Sequence, residues 1–554
     1  DAAAQIAGGG VVLDHARASI VCRKQANDAT VAVEIQKIDL GGGGKTVLVD
    51  AGQIDLDTAE KTWKLADLRG RVQFDRPGGA MRTPPSATAP IAAGPVPGTQ
   101  PAPEAKGIDK LQFAGRGDFT ASASGPLKLK GLDPWKAIEH EVVLHPRGVS
   151  FLPKNFARRI EKIEGGEVRL TNGTLIFQEL SGRCGDDLIR LRSARLPVEE
   201  LPTLARWQEI SGSVTFNPPE HPYSPKLDKI LDRLNPRGTF LIAGSYTLDK
   251  TGAIRKHDYD LIVSSDSGSM VVTPRKIVIE KIRGDVTVTP AGVDIHAAEA
   301  DVLGGKVQLT GRYVRQDESA FTYDGEAHLQ GVELARLEQS LRDEPPAKPT
   351  EGELFAETTF RGIARRDLTA KENLNALEAG GEMEVLDGSF FRMPVLKELA
   401  GNVRELKDAA TVGSAAAGFE IKQSMVHLSD VAISAPAVGL QGGGKVAFDG
   451  AVEGSVVVAP LAEWRDKLRA TKIPIVSDVA GTVAGGLQRI LNSATGALLY
   501  EFRIGGTVSD VKIHAVPTPV LSEAAAYVFG KMLDPQKPTR PREWRRSRER
   551  GETK

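Results

Sequence analysis

The sequence predicts a mainly β protein, built from many short strands joined by glycine turns and interrupted by a few short helices. Three observations carry that prediction. Apolar and polar residues alternate with period two along many segments, as side chains do on the two faces of a strand. Double glycines followed by such alternation recur at 165, 304 and 443, at equal spacing. The composition, with 58 glycines and only 5% aromatics, draws its apolar share from Val, Leu, Ile and Ala, which suits short strands with tight turns.

In chain order, Val31, Val33 and Ile35 mark an early strand. The run "GGGGKT" at 41–46 looks like a phosphate-binding loop, which requires a glycine, four residues, then Gly-Lys-Ser/Thr. Here the first required glycine falls on Asp39, so the spacing rejects that reading. Residues 77–107, rich in Pro, Ala and Gly without periodicity, are expected to form a disordered loop. In "GGEVRLTNGTLIFQ", Val168 and Leu170 precede Asn172-Gly173, and Leu175 and Phe177 follow. That pattern predicts a hairpin closed by a two-residue turn with positive φ at both positions. A helix is expected at 198–209. Another is expected over Leu227, Ile230, Leu231 and Leu234, which follow the i, i+3, i+4, i+7 pattern between Pro225 and Pro236. Strands follow at 240–248, 259–263 and 286–288.

The segment "GGKVQLTG" at 304–311 puts Val307, Leu309, Gly311 and Tyr313 on one strand face and Gln308, Thr310 and Arg312 on the other. Its near-copy "GGKVAFDG" at 443–450 sets Val446, Phe448, Val452, Val456 and Val458 against Lys445, Asp449, Glu453 and Ser455. Leu498, Tyr500, Phe502 and Ile504 continue the theme. In each copy the paired glycines read as turns. Short helices are expected at 332–342, 394–400, 460–470 and 519–532. They do not alternate regularly with strands, as the crossover helices of a parallel sheet would.

The organisation read from these segments is an N-terminal group of strands at 1–76, the loop at 77–107, and central repeats at 108–342. A linker at 343–352, a C-terminal region at 353–533 and a basic tail at 534–554 complete it. The tail includes Trp544 and a surplus of arginine, and is read as a solvated terminus in preference to a lipid-touching one.

Lys plus Arg (71) nearly cancels Asp plus Glu (72), so no global field favours nucleic acid. Cys22 and Cys184 fit no metal spacing, and the nine histidines include no ligand-spaced pair. His296 and His427 fall on polar strand positions. The carboxylates of "GDD" at 185–187 and of Asp258 and Asp260 are read as solvated strand positions, not as an acid/base pair. No catalytic residue, metal or cofactor is predicted. No run of 18 or more apolar residues occurs.

The segment "LEAGGEMEVLDGSFFRMPVLKELAGNV" at 377–403 resembles a recurring element of the AsmA-like envelope proteins. The likeness is carried by Gly381, Asp387, Gly388, Pro394, Val395 and Leu396. The strands at 419–450 and "FRIGGTVSDVKIHAVPTPVL" at 502–521 look like that family's following and terminal strands, with Val511 where a proline is usual. The resemblance is clearest over 377–521. It implies a long, twisted antiparallel sheet with an apolar groove, in the bacterial periplasm or cell envelope. It also implies an inner-membrane anchor preceding Asp1, and a role in moving phospholipid between the inner and outer membranes or in supporting outer-membrane assembly alongside other envelope proteins. A structural scaffold is the alternative. Under this reading the groove lining comprises Val307, Leu309, Tyr313, Val446, Phe448, Val452, Val456, Val458, Leu498, Tyr500, Phe502 and Ile504. An acyl chain gains ~0.8 kcal/mol per methylene withdrawn from water, which such an apolar stripe would supply.

Overall fold

The computed structural model describes residues 15–516, apart from 75–112, 390–411, 461–499 and shorter gaps. As the alternation predicts, the protein is mainly β: 25 strands in an antiparallel sheet, with three short helices among the described residues. The chain divides into two compact units, Asp1–Thr273 with Thr287–Pro290, and Pro274–Val286 with Ala291–Lys554.

The first unit contains β1 (His15–Lys24), β2 (Thr30–Gly42), β3 (Lys45–Asp57), β4 (Thr62–Phe74), β5 (Ala114–Pro126) and β6 (Glu139–Phe151). It continues through β7 (Ile160–Glu164), β8 (Glu167–Thr171), β9 (Thr174–Cys184), β10 (Asp187–Pro197) and β11 (Leu204–Phe216). Helix α1 (Pro225–Leu234), β12 (Gly238–Asp249) and β13 (Lys256–Val272) close it. Successive strands pair antiparallel, except that β7 and β8 share the span between β6 and β9, each pairing with both. Asn172 (φ 44°) and Gly173 (φ 76°) form the expected turn between β8 and β9, with Leu170 opposite Leu175. Gly42 pairs with Lys45 where β2 meets β3, so the tempting "GGGGKT" run belongs to a strand-to-strand connection.

The second unit contains β14 (Ile277–Thr289) up to Val286, β15 (Gly292–Val302), β16 (Gly305–Arg315), β17 (Ala320–Glu333), α2 (Leu334–Leu341) and β18 (Glu353–Arg365). After α3 (Ala370–Leu374) come β19 (Glu378–Gly388), β20 (Gly413–Lys422), β21 (Met425–Ala435), β22 (Val438–Ala447), β23 (Val452–Pro460), β24 (Tyr500–Gly506) and β25 (Val511–Val516). From β15 onward each strand pairs with the next. The sequence gives no period-based warning of α3; it is set by a capping box between Thr369 and Glu372.

Two local expectations are corrected. The double glycine at 443 is not a turn: Gly443 and Gly444 lie inside β22, opposite Ser455 and Gly454. Their neighbour Gly442 is required by close approach, since a Cβ there would sit 2.2 Å from the Ser455 carbonyl oxygen. The expected helix at 198–209 is, from Leu204, the start of β11. Trp207 and Ile210 share a face although three residues apart, because a bulge at Gln208–Glu209 interrupts the pairing with β12 between them, whereas Leu204 falls on the other face. An extra residue in a strand turns period two into an apparent helical period.

Such bulges recur. Pairing shifts occur between Leu65 and Leu68, Ile295 and Ala298, Leu329 and Val332, and Leu428 and Val431. Asp67, Glu209 and Asp430 hold positive φ at these shifts. Each bulge resets which parity of residues faces which side, so apolar residues regain one face after two consecutive intervening ones. The expected segments at 77–107, 394–400, 519–532 and 534–554, and all of 460–470 after Pro460, lie outside the described residues.

Candidate functional site

Residues directly opposite in an antiparallel pair share a face, so the register can be followed across strands to trace what each face presents. In the second unit one such row runs from β15 to β25 through Ala298, Leu309, Ala327, Thr358, Gly381 and Phe419, and then Leu428, Gly444, Gly454, Ile504 and Ile513. Thr358 is the one member that is neither apolar nor glycine. Two rows nearer the strand ends, a second such row passes from Val332 through Leu354, Val385, Ala415, Ile433 and Leu440 to Val458. Sequence-predicted residues far apart in the chain are thereby aligned: Leu309 and Ile504 stand on one row.

The opposite face is charged. Lys445 meets Glu453 at 2.8 Å, Arg361 meets Glu378 at 2.6 Å, and Lys281 meets Asp301 at 2.7 Å. These pairs are exposed and screened by water, so they contribute solubility more than stability. His427 is exposed on this face and His296 is exposed at the β15 bulge, and Asp258 and Asp260 are also exposed.

A comparable row crosses the first unit through Ala18, Ile38, Val49, Gly70, Phe119, Leu144, Val168, Phe177 and Ala194. Gly70 accommodates the Phe119 ring: a Cβ would lie 2.9 Å from two ring carbons. Beside it Phe74, Phe113 and Phe151 are in ring contact at 5.9 and 5.7 Å, and Phe177 meets Trp207 at 5.4 Å.

The apolar face is not uniformly covered. Val307, Leu309, Val446, Phe448, Val452 and Ile504 are half-buried, and Tyr313 is 38% exposed while stacking on Phe321 at 4.8 Å. Partial burial pushes the Tyr313 hydroxyl pKa up. By contrast Val456 is 8%, Val458 0% and Phe502 2% exposed. Val457 and Gln441, opposite one another on the other face, are 7% and 8% exposed. Both faces are therefore covered there, and these residues form a core. Phe448 belongs to the β22–β23 turn, its amide donating to the Ser424 carbonyl. Tyr500 lies opposite Val458 in the register, and Leu498 falls outside the described residues.

A second cluster was missed in the sequence. Cys184, Tyr223 and Leu231 are buried against Phe156, Ile160, Ile189 and Phe216, so α1 lies across the apolar residues of β9 to β11. Asp187, read in the sequence as solvated, is fully buried; it accepts from the Tyr223 hydroxyl at 3.0 Å and from the Asn217 amide at 2.7 Å. Burial, with Asp187 close by, drives the Tyr223 hydroxyl pKa upward and pushes the Cys184 thiol up to about 11. A thiol held neutral in apolar surroundings is a structural group, not a nucleophile. Cys22 and Cys184 are not joined in a disulfide, and Cys22 is exposed. The only sequence signal for this cluster is the Tyr-Ser-Pro that opens α1: Ser224 caps the helix and Asp228 accepts from the Tyr223 and Ser224 amides.

Among the described residues no group of three or more His, Cys, Asp or Glu is placed to hold a metal, and no helix is long and apolar enough to cross a membrane. No protein-family model and no curated protein matches this chain.

Proposed function

We propose that this is a non-enzymatic envelope protein of AsmA-like type whose apolar sheet face holds phospholipid acyl chains and lets them pass between the inner and outer membranes. The observation that supports this most is the apolar row from Ala298 to Ile513, carried across eleven strands with half-buried aliphatics. All described strands belong to one sheet, so no second sheet among them closes that face. A half-covered aliphatic surface of this extent is costly in water and is stabilised by a ligand of matching chemistry.

The test is mass spectrometry of lipids extracted from gently purified protein, beside a size-matched soluble control. Several phospholipids per chain are expected. A lipid-free protein would instead favour a structural scaffold, the reading that the doubly covered core at Val456–Val458 and Phe502 supports.

A further inference from the structure

The polar face of the first unit carries an arrangement that a solvated surface does not require. Arg116 stands directly opposite Arg147 across β5 and β6, Arg147 opposite Glu164 across β6 and β7, and Glu164 opposite Ser181 across β7 and β9. Arg116 and Arg147 alternate with Phe119 and Leu144, which stand opposite one another on the first unit's apolar row. The two arginines, Glu164 and Ser181, with Pro146, Gly148 and Gly165, line an open cavity of about 830 Å³. Gly148, at φ +67°, leaves open space where a side chain would sit.

Like charges placed directly opposite destabilise a strand pair. Arg147 is relieved by an ion pair with Asp118. Neither the Arg116 guanidinium nor the Glu164 carboxylate has a partner among the described residues. One unpaired cation and one unpaired anion are thus held two strands apart, roughly 9.6 Å between backbones, with a second arginine between them. Their long side chains reach into the same cavity without meeting each other.

We infer that this cavity binds a phosphate ester bearing an amine. The phosphate sits on the Arg116–Arg147 pair and the ammonium on Glu164. A phosphate suits the pair better than a carboxylate does, because its several oxygens engage the Arg116 fork together with the Arg147 donors that Asp118 leaves unused, while a carboxylate is satisfied by one fork. The inference does not depend on the lipid reading, since the site is built from charged residues of the first unit and not from the apolar row.

Isothermal titration of the full chain with phosphoethanolamine, and in parallel with inorganic phosphate, tests it. Phosphoethanolamine is expected to bind more tightly than phosphate. Arg116→Gln should weaken both by about tenfold or more, the loss of a charge-assisted hydrogen bond. Glu164→Gln should abolish only the preference for the amine. Both residues are solvent-facing, and circular dichroism would verify that the variants remain folded. Vesicles of phosphatidylethanolamine against phosphatidylcholine separate the sources: binding to free phosphoethanolamine assigns a soluble ligand, and binding confined to phosphatidylethanolamine vesicles assigns a head group. The absence of saturable binding to any of these probes, or an amine preference that survives Glu164→Gln, overturns the proposal.

Discussion

Aspartate placed at Val458 and, separately, at Leu309 distinguishes core from open face on one continuous apolar surface. Val458 is 0% exposed. Replacing it forfeits about 1.5–3 kcal/mol of apolar burial. It also buries a carboxyl whose pKa rises by roughly 3–5 units; at ~1.4 kcal/mol per unit this costs about a further 4 kcal/mol at neutral pH, where protonation of the buried carboxyl limits the penalty. That sum matches the whole stability of many domains, about 5–15 kcal/mol, so the β22–β25 region should lose its pairing. Because the folded carboxyl titrates above the unfolded one, the deficit grows as pH rises from ~4 toward the raised folded pKa and shrinks as pH falls back toward ~4. Leu309 is half-buried, so its aspartate keeps most of its hydration and costs about 1–2 kcal/mol. Far-UV circular dichroism on heating reads the stability difference, and the lipid content of the folded Leu309→Asp protein reads function. Equal stability of the two variants would refute the burial argument. A folded Leu309→Asp protein with an undiminished phospholipid load would refute the role of the apolar row.

Further outcomes follow from the same geometry. Removing the Tyr223 hydroxyl (Tyr223→Phe) takes one buried donor away from Asp187 and should cost about 1–3 kcal/mol, read as faster amide exchange in β9 to β11. The Cys184 thiol is raised from its ordinary 9.0 to about 11, so its contribution to stability is complete below pH 9 and is lost as pH rises through 11; a stability profile that is flat across that window contradicts this. In thiol-labelling assays near neutrality the exposed Cys22 should react first, while Cys184 reacts only in a variant that uncovers it, such as Leu231→Ala. Gly442→Ala should lower the unfolding midpoint because its Cβ meets the Ser455 carbonyl at 2.2 Å, whereas Gly505→Ala, with open space around it, should be nearly neutral.

The amino-acid sequence by itself determined the local features. Alternation identified the strands, Asn172-Gly173 specified the hairpin turn through its positive φ, and the proline-bounded Leu227–Leu234 period specified α1. These signals are legible because they arise from neighbours in the chain. Most of the apolar-face residues, among them Val307, Leu309, Val452 and Ile504, were legible for the same reason. Whether such a residue is core or half-open was not, because burial depends on what covers it: Val458 and Leu309 look alike in the sequence and differ in the fold. The tertiary structure alone decided the register, and with it the bulge that set Trp207 and Ile210 on one face at a helix-like spacing. It also decided that Gly443 is a strand residue opposite Ser455, and that Asp187 is buried under Tyr223 from 36 residues away. In each of these cases the deciding partner lies on another strand or a distant segment, so the cause is a pairing that no local pattern encodes.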